Sequence, residues 1–467
     1  MNSHRVSTPM QDYTELAVIG AGPAGLAAAV TAAQAGMKVT LLEEHPQTGG
    51  QYLRPVLPGV PSPFSTTAAR EGHRLREQMR RLPIAFQPQT LVWNLDPDLT
   101  LALHSPQGSK LLRAQTVIVA AGAYERVTAF PGWTLPGVIT LGAAQTLIRQ
   151  GVLPGQRILL TGSGPVLLSV AAQSVTAGAR VVAVLEVNPW RQWWRCLPAL
   201  WGQGERLKEA VHYWRTLRRA RVPVRFGWTV KRAVGRSEVE MAEIAALDPS
   251  GRPLPYPTER VAVDTIALGF GLVPATELTR LAGCEHRYCP EEGGWVPCLN
   301  ENLETTVANL FAAGETAGVG GAEMALVEGQ IAGLMAARRQ GHLTEAEANR
   351  RWLPLQRRRH ILQRWAQLLN RLLRPPLTLA DLAAEETILC RCEEVTAGEV
   401  RAAVEAGLTS LDALKIGTRV GMGWCQGRVC GPLIADFVAH LSGRSVAEVG
   451  TFSVRPPLKP VPLTALQ

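Results

Sequence analysis

The sequence predicts an α/β protein with two dinucleotide-binding domains and a small helical domain near its C-terminal end. A strand, a glycine-rich turn, a helix and a second strand ending in an acid occur twice, in residues 15–44 and 157–187. A further glycine-rich strand-to-helix segment occupies residues 309–333. Four cysteines form two close pairs after residue 385, apart from both nucleotide patterns. Together these observations predict a doubly wound fold with a separate cysteine-bearing unit.

The length and charge of the chain limit the number of domains and the kinds of partner to be expected. At 467 residues the chain exceeds one ordinary core, so several domains are expected. No run of about 18 apolar residues occurs, and no export signal precedes the first strand, which predicts a cytoplasmic protein without a membrane-spanning helix. The net charge of +9 suits peripheral contact with the inner face of the cytoplasmic membrane, or it belongs to solvated helix faces. No nucleic-acid motif accompanies this charge, so a nucleic-acid partner is not expected.

The first repeat has the residues of a dinucleotide-binding turn, "GAGPAG" at 20–25. Its first glycine permits a tight turn, its second lets the backbone approach a pyrophosphate, and its third lets the helix pack closely on the strand. The helix N-terminus attracts phosphate, and an acid about 20 residues later accepts ribose hydroxyls. The predicted nucleotide contacts of this repeat are Gly20, Gly22, Pro23, Ala24, Gly25, Glu43 and Glu44.

Three spaced segments predict that the first domain binds FAD. The sequence "GGQ" at 49–51 follows the acid, as in two-dinucleotide flavoproteins such as thioredoxin reductase and its relatives. Residues 116–126 resemble the returning strand and glycine turn of that fold, and residues 309–333 resemble its terminal flavin motif. That family usually has Asp where Glu315 stands, and the longer acid still reaches the ribityl chain. These segments add Gly50, Gln51, Ala121, Gly122, Gly314 and Glu315 to the predicted FAD contacts.

The second repeat is incomplete. It has Gly162, Gly164 and an acid at Glu186, but Leu167 stands at the position of the third glycine. A bulky side chain there is expected to push the helix from the strand and disturb the turn. Two interpretations stay open: a site for NAD or another adenine nucleotide, or a retained scaffold that holds no nicotinamide nucleotide.

The four late cysteines have the pattern C-x-C-x32-C-x4-C. They are Cys390, Cys392, Cys425 and Cys430. Residues i and i+2 lie on different sides of a helix, so the first pair must lie on a loop to converge. Four thiolates suit Zn²⁺ or an iron–sulfur cluster, with disulfides as a third alternative, and the single residue within the first pair favours a cluster. The segment resembles the bacterioferritin-associated ferredoxin domain, which implies a [2Fe-2S] cluster.

Two further segments narrow the resemblance to one family. With "GAYERVTAFPGWTLPGVITLGAAQTL" (122–147) and the tail "VRPPLKPVPL", residues 14–465 resemble the large α subunits of heteromeric amine dehydrogenases. These include the A-subunit of opine oxidase, the B-subunit of hydrogen cyanide synthase and the α subunits of proline or hydroxyproline dehydrogenases. The resemblance implies FAD, a [2Fe-2S] centre, a β subunit of the glycine/D-amino-acid oxidase type and a small ferredoxin-like subunit.

The function expected from this resemblance is electron transfer from the β-subunit flavin to a respiratory acceptor during opine or amino-acid oxidation. No catalytic residue is predicted in this chain. The alternative, favoured by the second repeat, is a self-contained NADH-dependent reductase of a ferredoxin or rubredoxin.

The predicted domain boundaries follow from these motifs. They are a flexible tail (1–13), an FAD-binding domain in two parts (14–150 and 266–340), an inserted NAD-like domain (151–265), a helical linker (341–385), the [2Fe-2S] domain (386–442) and an extended Pro-rich tail (443–467). Six of the 12 tryptophans lie within 190–228, interleaved with arginines. This segment suits a protein–protein interface, or alternatively the core of the inserted domain.

Overall fold

The computed structural model describes residues 12–54, 66–196 and 204–466. The strands are β1 Asp12–Ile19, β2 Val39–Leu42, β3 Ile84–Gln87, β4 Leu91–Leu95, β5 Thr100–Ser105, β6 Gly108–Val119, β7 Ala123–Glu125, β8 Val138–Thr140, β9 Arg157–Gly162, β10 Arg180–Glu186, β11 Val224–Phe226, β12 Trp228–Val234, β13 Met241–Leu247, β14 Pro253–Ala262, β15 Thr265–Gly269, β16 Leu272–Pro274, β17 His286–Cys289, β18 Gly294–Pro297, β19 Leu310–Ala312, β20 Ile388–Cys390 and β21 Val395–Thr396. The helices are α1 Pro23–Gln34, α2 Thr66–Arg81, α3 Leu141–Arg149, α4 Pro165–Thr176, α5 Trp190–Cys196, α6 Gly204–Arg219, α7 Glu277–Leu281, α8 Ala322–Arg339, α9 Glu345–Leu372, α10 Ala397–Glu405, α11 Leu411–Thr418, α12 Cys430–Ser442 and α13 Val446–Val449.

The first sheet contains the first repeat and confirms the predicted α/β class. Its order is β3-β2-β1-β6-β5-β4, and β19 also pairs with β6. Strands β1, β2, β3, β6 and β19 run parallel, whereas β4 and β5 are antiparallel to their neighbours. Because β1, β6 and β19 are parallel neighbours, the ends of the three predicted FAD segments meet at one edge of the sheet.

The second sheet is fully parallel, in the order β11-β10-β9-β15-β8. An antiparallel sheet, β12-β13-β14, lies between β11 and β15 along the chain. The second sheet includes strands at 138–140 and 265–269, so it extends beyond the 151–265 expected from sequence. The glycine turn marks only the strand that precedes it, and the outer strands carry no comparable signal.

Helices α1 and α8 pack closely over the first sheet. A Cβ atom on Gly329 would lie 2.1 Å from the Ala24 carbonyl oxygen, and one on Gly333 would lie 2.4 Å from the Ala28 carbonyl oxygen. Only glycine allows this separation, so α8 is held against the helix that follows the first nucleotide turn.

Helix α9 connects the first domain to the cysteine-bearing domain. A capping box at Thr344 and Glu347 begins the helix, which then continues for 28 residues. Beyond it, Leu389 and Phe437 of the cysteine-bearing domain share one buried cluster with Phe130 and Trp133. The C-terminal domain therefore packs on the body of the protein through a common core.

The Pro-rich tail lies along the body of its own chain. The Leu458 N–H donates to the Trp93 carbonyl oxygen (3.0 Å), and Lys459 forms an ion pair with Glu44. Among the described helices, none is both long and apolar enough to cross a membrane.

Candidate functional site

The first glycine turn brings β1, α1 and β6 together. Gly20 has φ +95°, and a Cβ atom there would lie 2.3 Å from the Ala120 carbonyl oxygen. A Cβ atom on Gly25 would lie 1.7 Å from the Gly20 carbonyl oxygen. Both positions require glycine, as the sequence predicts, and the backbone N–H groups that begin α1 are held at the edge of the sheet.

The acid at the end of β2 is fixed beside this turn. The buried Glu43 carboxylate accepts hydrogen bonds from the Ala21 N–H (2.7 Å) and the His45 N–H (2.9 Å). Glu44, the second predicted acid, is exposed and pairs with Lys459 of the tail. The two neighbouring acids therefore have different surroundings, and only Glu43 lies against the turn.

The GGQ segment lies directly on the first turn. Gly50 has φ +55°, and a Cβ atom there would lie 2.9 Å from the Gly22 Cα. Gln51 is exposed, and its Oε1 accepts a hydrogen bond from the Thr146 hydroxyl of α3 (3.3 Å). This loop therefore connects the phosphate-type turn to the first helix of the second domain.

The third segment closes the same site from the other side. A Cβ atom on Gly314 would lie 2.7 Å from the Ala24 Cβ, and the Gly122 N–H donates to the Thr316 hydroxyl (3.0 Å). One oxygen of Glu315 accepts from the Gly321 N–H (2.7 Å), whereas the other is buried and has no hydrogen-bond partner. Burial raises the pKa of Glu315 to about 7. A buried acceptor without a donor fits a ligand that supplies hydroxyl groups, such as the ribityl chain of FAD.

Two supporting residues carried no recognised signal in the sequence. The fully buried Glu328 of α8 accepts from the Gly314 N–H (3.0 Å) and pairs with Nε of Arg359 (2.9 Å). Burial raises the pKa of the Glu328 carboxyl, although Arg359 opposes this shift. Arg359 belongs to the basic run 357–360, and its side chain is only 13% exposed, so this charge does not lie on a solvated helix face. The presence of Glu328 in the middle of the apolar segment 322–339 is the sequence signal that could have indicated a buried ion pair.

The second turn differs from the first in its backbone and is covered by the linker. Gly164 has φ +93°, whereas Gly22, at the same position of the first turn, has φ −73°. Leu167 is fully buried in the core formed by α3, α4 and the second sheet. The Ser163 hydroxyl and the Asn188 amide (3.2 Å) both donate to the Leu373 carbonyl oxygen, one residue beyond α9.

The acid of the second repeat is held within the protein. Glu186 is 2% exposed and accepts from the Gly164 N–H (2.9 Å), the Asn188 N–H (3.0 Å) and the Asn188 side-chain amide (3.0 Å). Burial raises its pKa to about 7. The cavity beside this turn measures about 190 Å³ and is also lined by Leu369 and Leu373. Sites for drug-sized ligands measure about 300–1,000 Å³, so this cavity is small for a dinucleotide.

The four predicted cysteine ligands converge. The thiol of Cys430, at the start of α12, hydrogen-bonds with both Cys390 and Cys425, and Cys392 lies against Cys425. These contacts raise the pKa of Cys430, and they lower the pKa of Cys390 to about 6 and that of Cys425 to about 5. Cys392 lies in a turn, as the predicted loop requires, whereas Cys390 is the last residue of strand β20.

Backbone groups around the thiols suit thiolate ligands. The N–H groups of Gly421 and Glu393 donate to Cys390, and those of Val429 and Gly427 donate to Cys425. A Cβ atom on Gly423 would lie 2.2 Å from the Cys392 Cβ, so glycine permits the two loops to meet. Within the described ranges, no group of three or more His, Cys, Asp or Glu side chains is already in the arrangement of a metal site. The four thiols contact one another, and a donor set of four thiolates suits an iron–sulfur cluster or Zn²⁺.

Arg428 links the thiols to the first domain. Its Nε donates to the Tyr124 hydroxyl (3.0 Å), its Nη1 donates to the Cys425 carbonyl oxygen (3.1 Å), and it pairs with Glu277 (3.6 Å). Tyr124 lies two residues after Gly122, and burial raises the pKa of its hydroxyl. Arg428 was not predicted from sequence. The signal that could have indicated it is the sequence Gly-Arg-x-Cys at 427–430, which places an arginine two residues before Cys430.

The tryptophan-rich segment is largely at the surface. Trp190, Trp194 and Trp214 are 54%, 62% and 47% exposed. Trp193 is half-buried, with its ring edge against Phe226 at 6.3 Å. Trp201 lies outside the described residues. The exposed rings are not core, and the interface expected from sequence stays a prediction.

The chain is similar to known protein families over nearly its whole length. The pyridine nucleotide-disulphide oxidoreductase family matches residues 14–341, and the sarcosine oxidase A3 domain matches residues 384–467. The A-subunit of opine oxidase from Agrobacterium tumefaciens is 33% identical, over 99% of this chain and 93% of its own length. The chain belongs to the opine oxidase A-subunit family of pyridine nucleotide-disulphide oxidoreductases. The family resemblance predicted from sequence is thus confirmed, and membership implies an FAD-binding oxidoreductase.

Other relatives agree with this family. The HcnB subunit of hydrogen cyanide synthase from Pseudomonas aeruginosa is 31% identical, over 96% of this chain and 97% of its own length. Among solved structures, L-proline dehydrogenase from P. horikoshii matches with a TM-score of 0.70 at 20% identity, covering 99% of this chain and 81% of that one. At that identity the match supports the fold alone, and it confirms the predicted two-dinucleotide architecture. The opine oxidase and HcnB relatives are both named as subunits.

Proposed function

We propose that this chain is the electron-transfer subunit of a heteromeric dehydrogenase that oxidises opines or related amino acids at a C–N bond. A β subunit of the glycine/D-amino-acid oxidase type would oxidise the substrate, and a small ferredoxin-like subunit would complete the complex. This chain would pass the electrons to a respiratory acceptor, in the cytoplasm or at the inner face of the membrane. The name of the opine oxidase relatives supports the substrate class.

One observation carries the proposal: the Arg428 side chain connects the Cys425 loop to a residue that follows the predicted flavin turn. Arg428 contacts both the Cys425 carbonyl oxygen and the Tyr124 hydroxyl, and Tyr124 follows the Gly122 turn. FAD would supply two-electron chemistry and a [2Fe-2S] cluster one-electron chemistry. In this proposal Gly20, Gly22, Glu43, Gly314 and Glu315 hold FAD.

The proposed cluster ligands are the four converging thiols. Cys390 and Cys430 are each about 1% exposed, and Cys392 is exposed, so one ligand lies at the surface while two are shielded. Such a site protects the metal from hydrolysis and leaves one edge open to an acceptor. A reduced, dithionite-treated sample of the wild-type chain, made with iron under anaerobic conditions, should give the electron paramagnetic resonance signal of a [2Fe-2S] centre.

The test compares the chain alone with the chain co-expressed with its β subunit. The complex should oxidise the opine with a one-electron dye as acceptor, whereas the isolated chain should not. Cys425→Ser in the complex should leave flavin reduction by substrate intact and lower dye reduction at least tenfold. Cys298→Ser, a half-buried cysteine outside the thiol group, is the matched control. Full substrate oxidation by the isolated chain, or wild-type protein that holds only zinc, would overturn the proposal.

The NADH-reductase alternative has less support. The linker covers the second turn through Leu373, and Glu186 is saturated by hydrogen bonds from the protein. We therefore expect that NADH, added anaerobically to the FAD-loaded chain, leaves the flavin absorbance near 450 nm unchanged. Rapid bleaching at micromolar NADH would instead establish the reductase.

A further inference from the structure

A cationic site that the proposed function does not use lies where the GGQ loop meets α3. We infer that Arg54 and Arg149 form a binding site for a small oxyanion, a carboxylate or a phosphate monoester. The site lies on the loop formed by residues 49–54 and on the last residue of α3, and it is separate from the thiols.

The first observation is the unpaired edge of Arg54. Its Nε and Nη2 atoms are buried and have no hydrogen-bond partner. These two nitrogens form one side of the guanidinium, the side that binds two oxygens of a carboxylate or phosphate at once. Leaving charged donors buried without an acceptor is costly, so the arrangement calls for an anion.

The second observation is the neighbouring cation. Arg149 is 7% exposed, and its Nη1 donates to the Tyr52 carbonyl oxygen (3.3 Å), two residues before Arg54. Burial lowers the pKa of Arg149 to about 10, and the charge of Arg54 contributes to that shift. Two guanidiniums thus repel each other across this junction, and an anion between them would offset the repulsion.

The third observation concerns the nearby acids. Among the described residues, no carboxylate accepts from the free edge of Arg54. Glu43 is engaged by backbone N–H groups, and Glu44 pairs with Lys459. The following segment, residues 55–65, contains no Asp or Glu. We therefore expect a ligand, rather than these side chains, to supply the acceptor for the Arg54 edge.

The fold keeps the pair in place and leaves a route for the ligand. The Leu53 carbonyl oxygen accepts from Nη1 of Arg76 (2.8 Å), which fixes the loop immediately before Arg54. Gln51 and Tyr52 are exposed on the same loop, and Tyr52 is 44% exposed. These exposed residues are where a small anion would reach the loop.

The experiment uses the complete FAD-loaded chain at low ionic strength, so that bound FAD already occupies the first turn. Inorganic phosphate and acetate are titrated separately while the melting temperature (Tm) and the heat of binding are measured. We expect a saturable rise in Tm with at least one ion, and the ion that acts identifies the ligand chemistry as phosphate or carboxylate. If both ions act only at the non-saturating level of a general salt effect, the inference is wrong.

Three variants separate the site from other causes. Arg54→Gln should abolish the saturable shift, and Arg54→Lys should weaken binding about tenfold, because lysine lacks the two-pronged edge. Arg80→Gln, a 71% exposed arginine of α2, should keep wild-type binding. If Arg54→Gln does not fold, Arg149→Gln should show the same loss. Release of FAD from Arg54→Gln would assign the guanidinium to the flavin and overturn a separate site, without affecting the iron measurements that test the proposed function.

Discussion

Two buried glutamates illustrate how surroundings decide what a motif residue does. Glu186 and Glu43 are both the acid that ends the second strand of a nucleotide repeat, and both accept backbone N–H groups. Glu186 also receives the Asn188 amide, and the linker covers its turn. Glu315 differs from both, because one of its carboxylate oxygens is buried and accepts no hydrogen bond from the protein. The Glu186 carboxylate is thus fully hydrogen-bonded within the protein, whereas the Glu315 carboxylate keeps one oxygen available to a ligand.

The stability of the protein should depend on the pH through Glu186. Its pKa is raised from 4.5 to about 7 in the folded state, so the protonated form stabilises the fold. This contribution is complete below about pH 4.5 and is lost as the pH rises through 7, and it amounts to about 3 kcal/mol at most. In Glu186→Gln, the free energy of unfolding should therefore fall less between pH 4.5 and pH 7.5 than it does in the wild type, as measured by urea denaturation.

The control is Glu238→Gln, at an exposed site of the same domain, which should show the wild-type dependence of the unfolding free energy on pH. Parallel profiles for all three proteins would contradict the assignment.

A second prediction at this scale concerns FAD affinity. Removing the free acceptor with Glu315→Ala should raise the dissociation constant of FAD about tenfold, since a hydrogen bond to a charged group contributes about 1.5 kcal/mol. Flavin fluorescence on dilution measures this constant. Glu323→Gln changes an acid of α8 that pairs with Arg358 at the surface, and it should leave FAD binding unchanged. Equal affinity in the two variants would place the ribityl chain elsewhere.

At the scale of elements, the helix that follows the first cysteine pair, α10, begins at a capping box. The Thr396 hydroxyl accepts from the Glu399 N–H (3.3 Å), and the Glu399 carboxylate accepts from the Thr396 N–H (2.7 Å). Thr396 lies four residues after Cys392, so this capping box fixes where the loop that carries Cys392 ends and α10 begins. Helix α12, by contrast, begins at Cys430 and has no side-chain cap.

Thr396→Ala should therefore act on the metal as well as on stability. We expect a loss of about 1 kcal/mol from the missing cap and a lower iron content per chain. Thr344→Ala removes the equivalent capping box of α9 and provides the control, with a similar loss of stability and unchanged iron. Thermal unfolding and an iron assay measure both effects. Equal iron loss in the two variants would indicate general instability instead.

At the scale of the whole molecule, the tail and the body complete the cysteine-bearing domain. Phe452 of the tail is 7% exposed and lies against Gly421, Gly427 and Gly431, which surround the thiols. The domain also shares a buried cluster with the second domain through Phe130 and Trp133. The small cysteine-bearing domain thus obtains part of its core from its neighbours.

The tail should accordingly protect the proposed metal centre. Phe452→Ala should lower the free energy of unfolding by about 3 kcal/mol and accelerate iron loss to a chelator, because the glycine-rich loops lose their cover. Leu463→Ala, 81% exposed in the same tail, should behave as wild type. Chelation kinetics followed by visible absorbance report the difference. Identical kinetics for Phe452→Ala and wild type would show that the loops are stable without the tail.

The sequence by itself determined the features that depend on short spacings: the glycines of both turns, the capping box at Thr396 and the two cysteine pairs. These signals are local because a tight turn or a helix start is stabilised by residues within a few positions. The tertiary structure alone decided which distant groups meet. Arg359 reaches Glu328 across 31 positions and Arg428 reaches Tyr124 across 304, and the end of α9 covers the second turn. Burial decides such contacts, because a charged or polar group removed from water takes whichever partner the packing places beside it.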